Sequence, residues 1–193
     1  MNHIYQTRGY VLAHFPSGEY NKQLVILTEQ FGVIRVTAQA VRKIESKLRT
    51  SIQDYSHAEF FLVHGKSGWR LINTTHTGNL STEITKESFL MFARIFSLIM
   101  RLIPEEDNAS KVFSMIDEAV KFAKENKISP IECEHLEILV DTKILFDLGY
   151  VEHHGEIMES VTSEITRATL AQIGANKRET LKIVNQAIRE SHL

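Results

Sequence analysis

Cysteine is almost absent from this chain of 193 residues: there is one, Cys133. A single thiol excludes an internal disulfide and a zinc cage built from cysteines, and it makes a reducing interior compartment the expectation. With three prolines and nine glycines, the chain shows no low-complexity tract and no internal repeat. Long apolar runs are missing too. The greasiest stretch, "FLMFARIFSLIMRLI", is broken by Arg94 and Arg101 and is shorter than the ~20 residues of a membrane span. The opening "MNHIYQTRGYVLAHF" has neither the cationic start nor the unbroken apolar stretch of a secretory signal. A soluble, cytoplasmic protein is the expectation.

What is there is an ordinary globular composition, 43% apolar, with a formal charge of −2, which by itself names no partner. The charge is unevenly spread. Residues 1 to 80 hold nine Lys/Arg against five Asp/Glu, a balance of +4, whereas 81 to 193 hold thirteen against nineteen, a balance of −6. The basic part therefore carries the partner hypothesis.

That basic part reads as strands. "RGYVLAHF", "KQLVILTEQ", "GVIRVTAQAV", "HAEFFLVHG" and "GWRLINTTHT" are rich in branched and aromatic residues and are separated by turn-forming segments. In the third, Ile34, Val36, Ala38 and Ala40 share one face and Val33, Arg35, Thr37 and Gln39 the other. "GKSG" predicts a hairpin with Lys66 at its tip and Trp69 and Arg70 just beyond. Five short strands with one longer connection after the third suit a small closed barrel, and an OB-fold is the commonest such barrel with a polymer-binding face. The remainder reads as helices: Lys86 to Ile103, about Ala109 to Asn126, one started by Ser129, Pro130 and Glu132 as a capping box and stopped by Gly149, then two shorter ones at roughly 162–173 and 177–191. The fold class expected is α+β, an N-terminal five-stranded OB-fold domain over residues 1–80 followed by an all-α domain over 81–193, with the Lys86 helix as the spine of the second part.

Few catalytic patterns survive inspection. "HGKSG" contains Gly-Lys-Ser, but the phosphate loop needs a glycine where Phe60 stands and a helix where a strand follows. Cys133 and His135 diverge on a helix, and His153 and His154 add no recognised ligand spacing. There is no Gly-x-Ser-x-Gly elbow, and the paired Glu105 and Glu106 precede a helix start, where the macrodipole accounts for them. No catalytic residue, metal ligand or cofactor is expected.

The remaining signal is the segment "TAQAVRKIESKLRTSIQDY", with Arg42, Lys43, Lys47 and Arg49 in one connection. A run of charge is usually a solvated loop. Here, however, Lys22, Arg35, Lys66 and Arg70 fall in the same barrel, with Tyr20, Phe31, Tyr55 and Trp69 interleaved. Cations at backbone spacing together with aromatic faces describe the binding of a single strand by an OB-fold. The DNA-binding candidates are Lys22, Arg35, Arg42, Lys43, Lys47, Arg49, Lys66, Trp69 and Arg70. Aromatic residues in a barrel are more often core than platform, so for Trp69 the platform reading is at best equal to the core one.

These features in this order, from "KQLVILTEQFGVIRVTAQAVRKIESKLRT" through "AEFFLVHGKSG" to the later "KILFDLGY", resemble the RecO family of bacterial DNA repair and recombination mediators. The resemblance spans most of residues 5 to 150. It implies an OB-fold followed by helices, binding of single- and double-stranded DNA, annealing of complementary strands, and cooperation with RecR in loading RecA on strands coated by single-strand-binding protein. A cytoplasmic, nucleoid-associated location goes with that role. Two departures stand out. The four-cysteine zinc module of many members is replaced by "VEHHGEIMES", so zinc is not carried over, and the C-terminal part is short, so the family's pocket for the tail of single-strand-binding protein is expected to be reduced or absent. The rival reading is a protein-interaction adaptor that has lost DNA binding and works through its acidic helical part. A metal hydrolase ranks third.

Overall fold

In a computed structural model, the structure describes residues 3–41, 48, 51–107, 109–151 and 157–191. They form two compact units, one of residues 1–83 with 103–113 and one of 84–102 with 114–193.

The first unit is the expected closed barrel. Its strands are β1 (Tyr5–Ser17), β2 (Asn21–Thr28), β3 (Gly32–Ala38), β4 (Ser56–Gly65) and β5 (Gly68–Asn79), joined in the order β1-β2-β3-β5-β4 and back to β1. This is the OB-fold arrangement, and its interior follows the alternation of the sequence. Val11, Leu24, Ile26, Ile34, Val36, Phe60 and Leu62 are sealed inside, where each removes roughly 1.5–3 kcal/mol worth of apolar surface from water. Ala40, placed with that inward set by alternation, is instead exposed at φ 56°, because β3 ends at Ala38 and the chain turns. Gly65 pairs with Gly68 across the β4–β5 turn, so Lys66 sits at the hairpin tip as expected. A short helix, α1 (Leu80–Glu83), follows β5.

The helical elements are α2 (Lys86–Leu102), α3 (Ser110–Glu125), α4 (Pro130–Asp147), α5 (Ile157–Thr162), α6 (Arg167–Ala175) and α7 (Lys177–Glu190). On α2 the polar stripe Glu87, Arg94, Ser97 and Arg101 is exposed while Met91, Phe92, Ile95, Phe96 and Ile99 are buried, as helical periodicity requires. The capping box at the start of α4 is formed: Glu132 N–H donates to Ser129 Oγ at 3.2 Å and Ser129 N–H to Glu132 Oε2 at 2.7 Å. Gly149 ends the helix at φ 79°, a backbone state that costs glycine little.

The spine of this unit is α4 and not α2, since α4 packs against α2, α5, α6 and α7. Its polar residues disguised that role in the sequence. Thr142 turns its hydroxyl to the Ile138 carbonyl at 2.6 Å, Lys143 Nζ donates to the Ser163 carbonyl at 2.5 Å, and Glu137 takes both arms of Arg94 from α2 at 2.5–2.6 Å. Burial lowers the Lys143 pKa. Cys133 lies buried with its Sγ 3.5 Å from Ser88 Oγ, and burial pushes its thiol pKa up. Among the described residues no helix is long and apolar enough to cross a membrane.

Asp141 is the carboxylate of α4 that burial perturbs most. Burial, with a smaller push from Glu137 and an opposing pull from Arg94, raises its pKa from 3.8 to about 7, and its Oδ1 is buried without a hydrogen-bond partner among the described residues. Between these two pH values the folded protein holds a proton that the unfolded chain has released, so stability falls as pH rises through the window. At about 1.4 kcal/mol per unit the loss is a few kcal/mol at most. Thermal unfolding of the wild type is expected to show a lower midpoint at about pH 8 than at about pH 5, and Asp141→Asn, neutral throughout, to lose that part of the slope.

Candidate nucleic-acid interface

The barrel closes where β3 meets β5 in parallel, with Val36 opposite Trp69 and Thr37 opposite Arg70. The seam brings residues far apart in sequence to one side of the barrel. Thr37, Gln39, Lys66, Ser67, Trp69 and Arg70 line a groove of about 330 Å³. Lys66 and Arg70 are exposed and have no ion-pair partner among the described residues. Thr37, Gln39 and Ser67 add neutral hydrogen-bonding groups between them. Nothing in composition singled these three out, although Thr37 shares the outward face of β3 with Arg35 and Gln39 follows just past its end. Lys22, second in β2, is half-buried opposite Ala38 on β3 and Pro16 on β1.

Arg42, Lys43, Lys47 and Arg49 lie outside the described residues. Their connection is pinned at described points: Val41 and Ile52 are in the barrel core, and Leu48 packs against it.

The aromatic residues divide differently from a uniform platform. Trp69 is only 9% exposed and belongs to the core cluster. Its ring is edged by Tyr5 at 5.3 Å and met at a tilt by Phe31 at 4.9 Å and His64 at 4.7 Å, geometries typical of packed aromatics. Phe31 and Tyr55 are half-buried. Tyr20, in the β1–β2 turn, is open to solvent, as is Phe15 on the same hairpin, which sequence reasoning did not pick out.

Glu105 and Glu106 have a role other than the one their sequence position suggested. The helix after them begins only at Ser110, too far for its first turn to account for them. Residues 103–113 belong to the barrel unit, and 104–107 lay a strap over the seam. Glu105 accepts from Arg35 Nε. Glu106 accepts from Trp69 Nε1 at 3.0 Å, lies 3.8 Å from His64 Nε2, and donates its backbone N–H to the Val33 carbonyl at 2.9 Å. Beyond the strap, Phe113 meets Tyr10 at 5.7 Å and carries the Arg8 guanidinium 5.4 Å from its ring centroid, a cation–π contact. These pairings join residues some 37 to 105 positions apart, which no local pattern could show.

As for metals, among the described residues no three His, Cys, Asp or Glu side chains are grouped to hold an ion. His153 and His154 lie outside the described residues. His135 is committed to packing, because its ring stands where a side chain on Gly174 of α6 would have to go.

Residues 1–77 match the family model described as recombination protein O N terminal. Curated relatives carry the same name, DNA repair protein RecO: one from Alkaliphilus metalliredigens is 24% identical over 128 residues, 65% of this chain and 51% of the relative. One from Thermodesulfovibrio yellowstonii is 21% identical over 149 residues, 76% of this chain and 58% of the relative. One from Gloeothece citriformis is 32% identical over 72 residues, 37% and 25% of the respective chains. The resemblance to the RecO family is thereby shown. The RecO-like chain spans between a quarter and just under three fifths of the length of these relatives, and the RecO model covers its barrel strands almost to the end of β5.

Gly32 ties the strap to the barrel. It opens β3 at φ 67°, and a Cβ there would run into the Asp107 carbonyl. Gly32→Ala therefore meets both a left-handed backbone and a rigid neighbour, and is expected to cost about 1–3 kcal/mol in urea unfolding followed by the fluorescence of Trp69.

Proposed function

We propose that this RecO-like chain is a DNA repair and recombination mediator. It binds single- and double-stranded DNA along the β3–β5 side of the barrel, anneals complementary strands, and acts with RecR to help load RecA on strands coated by single-strand-binding protein. The match of the barrel to the RecO N-terminal model carries this reading. The groove with Lys66 and Arg70 at its rim supports it physically.

No covalent step is required. Cations on the barrel replace condensed counterions on the phosphates, and the released ions drive binding independently of sequence. Annealing follows from the same charge. Two strands whose phosphates are partly neutralised repel each other less and meet more often in register. Lys22, Arg35, Lys66 and Arg70, continued by Arg42, Lys43, Lys47 and Arg49, form the proposed track. Trp69 supports it from beneath as a packed ring, and exposed Tyr20 is the more accessible stacking surface. The part after residue 80, with its balance of −6, adds no attraction for DNA and is assigned to protein partners, RecR first. Such a role places the protein in the cytoplasm at the nucleoid.

The test is fluorescence anisotropy of a labelled mixed-sequence single strand, with and without duplex competitor, across a salt series. Wild type is expected to show a log–log slope of several units, about −0.7 per phosphate neutralised. Changing Lys66 and Arg70 to alanine should flatten the slope by about 1.4 units and weaken all sequences alike, by about tenfold at low salt. Absence of binding at low salt, together with co-elution with RecR, would favour the adaptor reading instead.

A further inference from the structure

The strap of residues 104–107 presents two carboxylates to two residues of the proposed DNA track, Arg35 and Trp69. Arg35 is the cation that β3 turns outward, and Glu105 holds it. Trp69 Nε1 is the polar edge of the packed ring, and Glu106 holds that. A carboxylate on a guanidinium imitates a backbone phosphate in charge and in hydrogen-bonding geometry. Resting on the DNA-binding reading above, we propose that Glu105 and Glu106 are an intramolecular stand-in for the strand: they occupy its phosphate positions at the β3–β5 seam and have to be displaced when a polynucleotide runs across it.

The contacts have the strengths that such a device needs. Arg35 and Glu105 are 48% and 50% exposed, and pairs as open as that are held weakly and screened by salt. A strand offering several phosphates at once outcompetes a single carboxylate. The ends of the strap are held more firmly. Before the tip Ile103 is buried, and after it Gly32 makes room for the Asp107 carbonyl and Ala109, Val112 and Phe113 are buried. Between those anchors Glu106 sits at φ 64°, a left-handed state that is unfavourable for a residue with a Cβ, so release of the acidic tip relieves backbone strain. Displacement is therefore local.

The chain offers its own probe, because Trp69 is its single tryptophan and touches Glu106. In the full chain, Glu105→Gln and Glu106→Gln keep a hydrogen-bond acceptor in place while removing the charge, which preserves the fold. Glu59→Gln, at a carboxylate that accepts from Gln6 at 2.7 Å on the β1–β4 side, is the charge-matched control. Binding of the labelled single strand is expected to tighten two- to fivefold in Glu105→Gln, with a salt slope steeper by about 0.7 because Arg35 now neutralises a phosphate outright. The control should change by less, and the gain should vanish when Arg35→Ala is added. Trp69 emission should shift on DNA binding in the wild type. The proposal is overturned by unchanged or weaker binding in the Glu105 and Glu106 variants, by an equal gain in Glu59→Gln, by a Glu105→Gln gain that persists without Arg35, or by Trp69 emission that ignores bound DNA. Failure of wild type and variants alike to bind DNA would overturn the DNA-binding reading as well; binding by the wild type with no gain in the variants would overturn the strap alone.

Discussion

Two residue pairs close this barrel. Antiparallel ladders hold β1 to β2, β2 to β3, β4 to β5 and β1 to β4, but the seam between β3 and β5 consists of Val36 against Trp69 and Thr37 against Arg70. Closure leaves the sheet without a free edge, which is what allows such short strands to enclose a core. It also determines where chemistry can gather. The seam sets Thr37, Gln39, Lys66 and Arg70 around one groove and brings Arg35 and Trp69 within reach of the same segment of chain.

The two kinds of carboxylate in this molecule show how environment decides what a charge does. Glu105 is half in water, and its bond to Arg35 is exchangeable. Asp141 is sunk in the side of α4, where the low dielectric lifts its pKa to about 7 and makes it a proton-binding group at ordinary pH. Neither property could be assigned from residue type.

Much of the architecture was legible in the sequence because it depends on local rules. Alternation placed Ile34 and Val36 inside and Arg35 outside, the Gly65–Gly68 turn placed Lys66 at a tip, and Ser129 with Glu132 announced the start of α4. What escaped depends on partners distant in sequence. Glu105 and Glu106 looked like residues at a helix start until Arg35 and Trp69 met them from the barrel. The central place of α4 was hidden by Glu137, Thr142 and Lys143, which look solvated on a helical wheel and are matched by Arg94, Ile138 and Ser163 in space. For Trp69 local pattern could not separate core from surface, since an aromatic in a barrel strand suits both; three neighbouring rings decide its burial.

The barrel unit is discontinuous, interrupted by residues 84–102. Its last pieces, from Ile103 to Phe113, lie some 70 positions after Arg35 and Gly32, the residues that receive them. Contacts of that separation are slow to form, because the loop between them has to be closed before they contribute anything. During synthesis the five strands emerge before the segment that covers their seam, and the seam stays uncovered until the chain has grown past Phe113. Translation thus imposes an order of assembly, the cation-bearing surface first and its acidic cover afterwards, for as long as about thirty residues take to emerge, a few seconds at usual elongation rates.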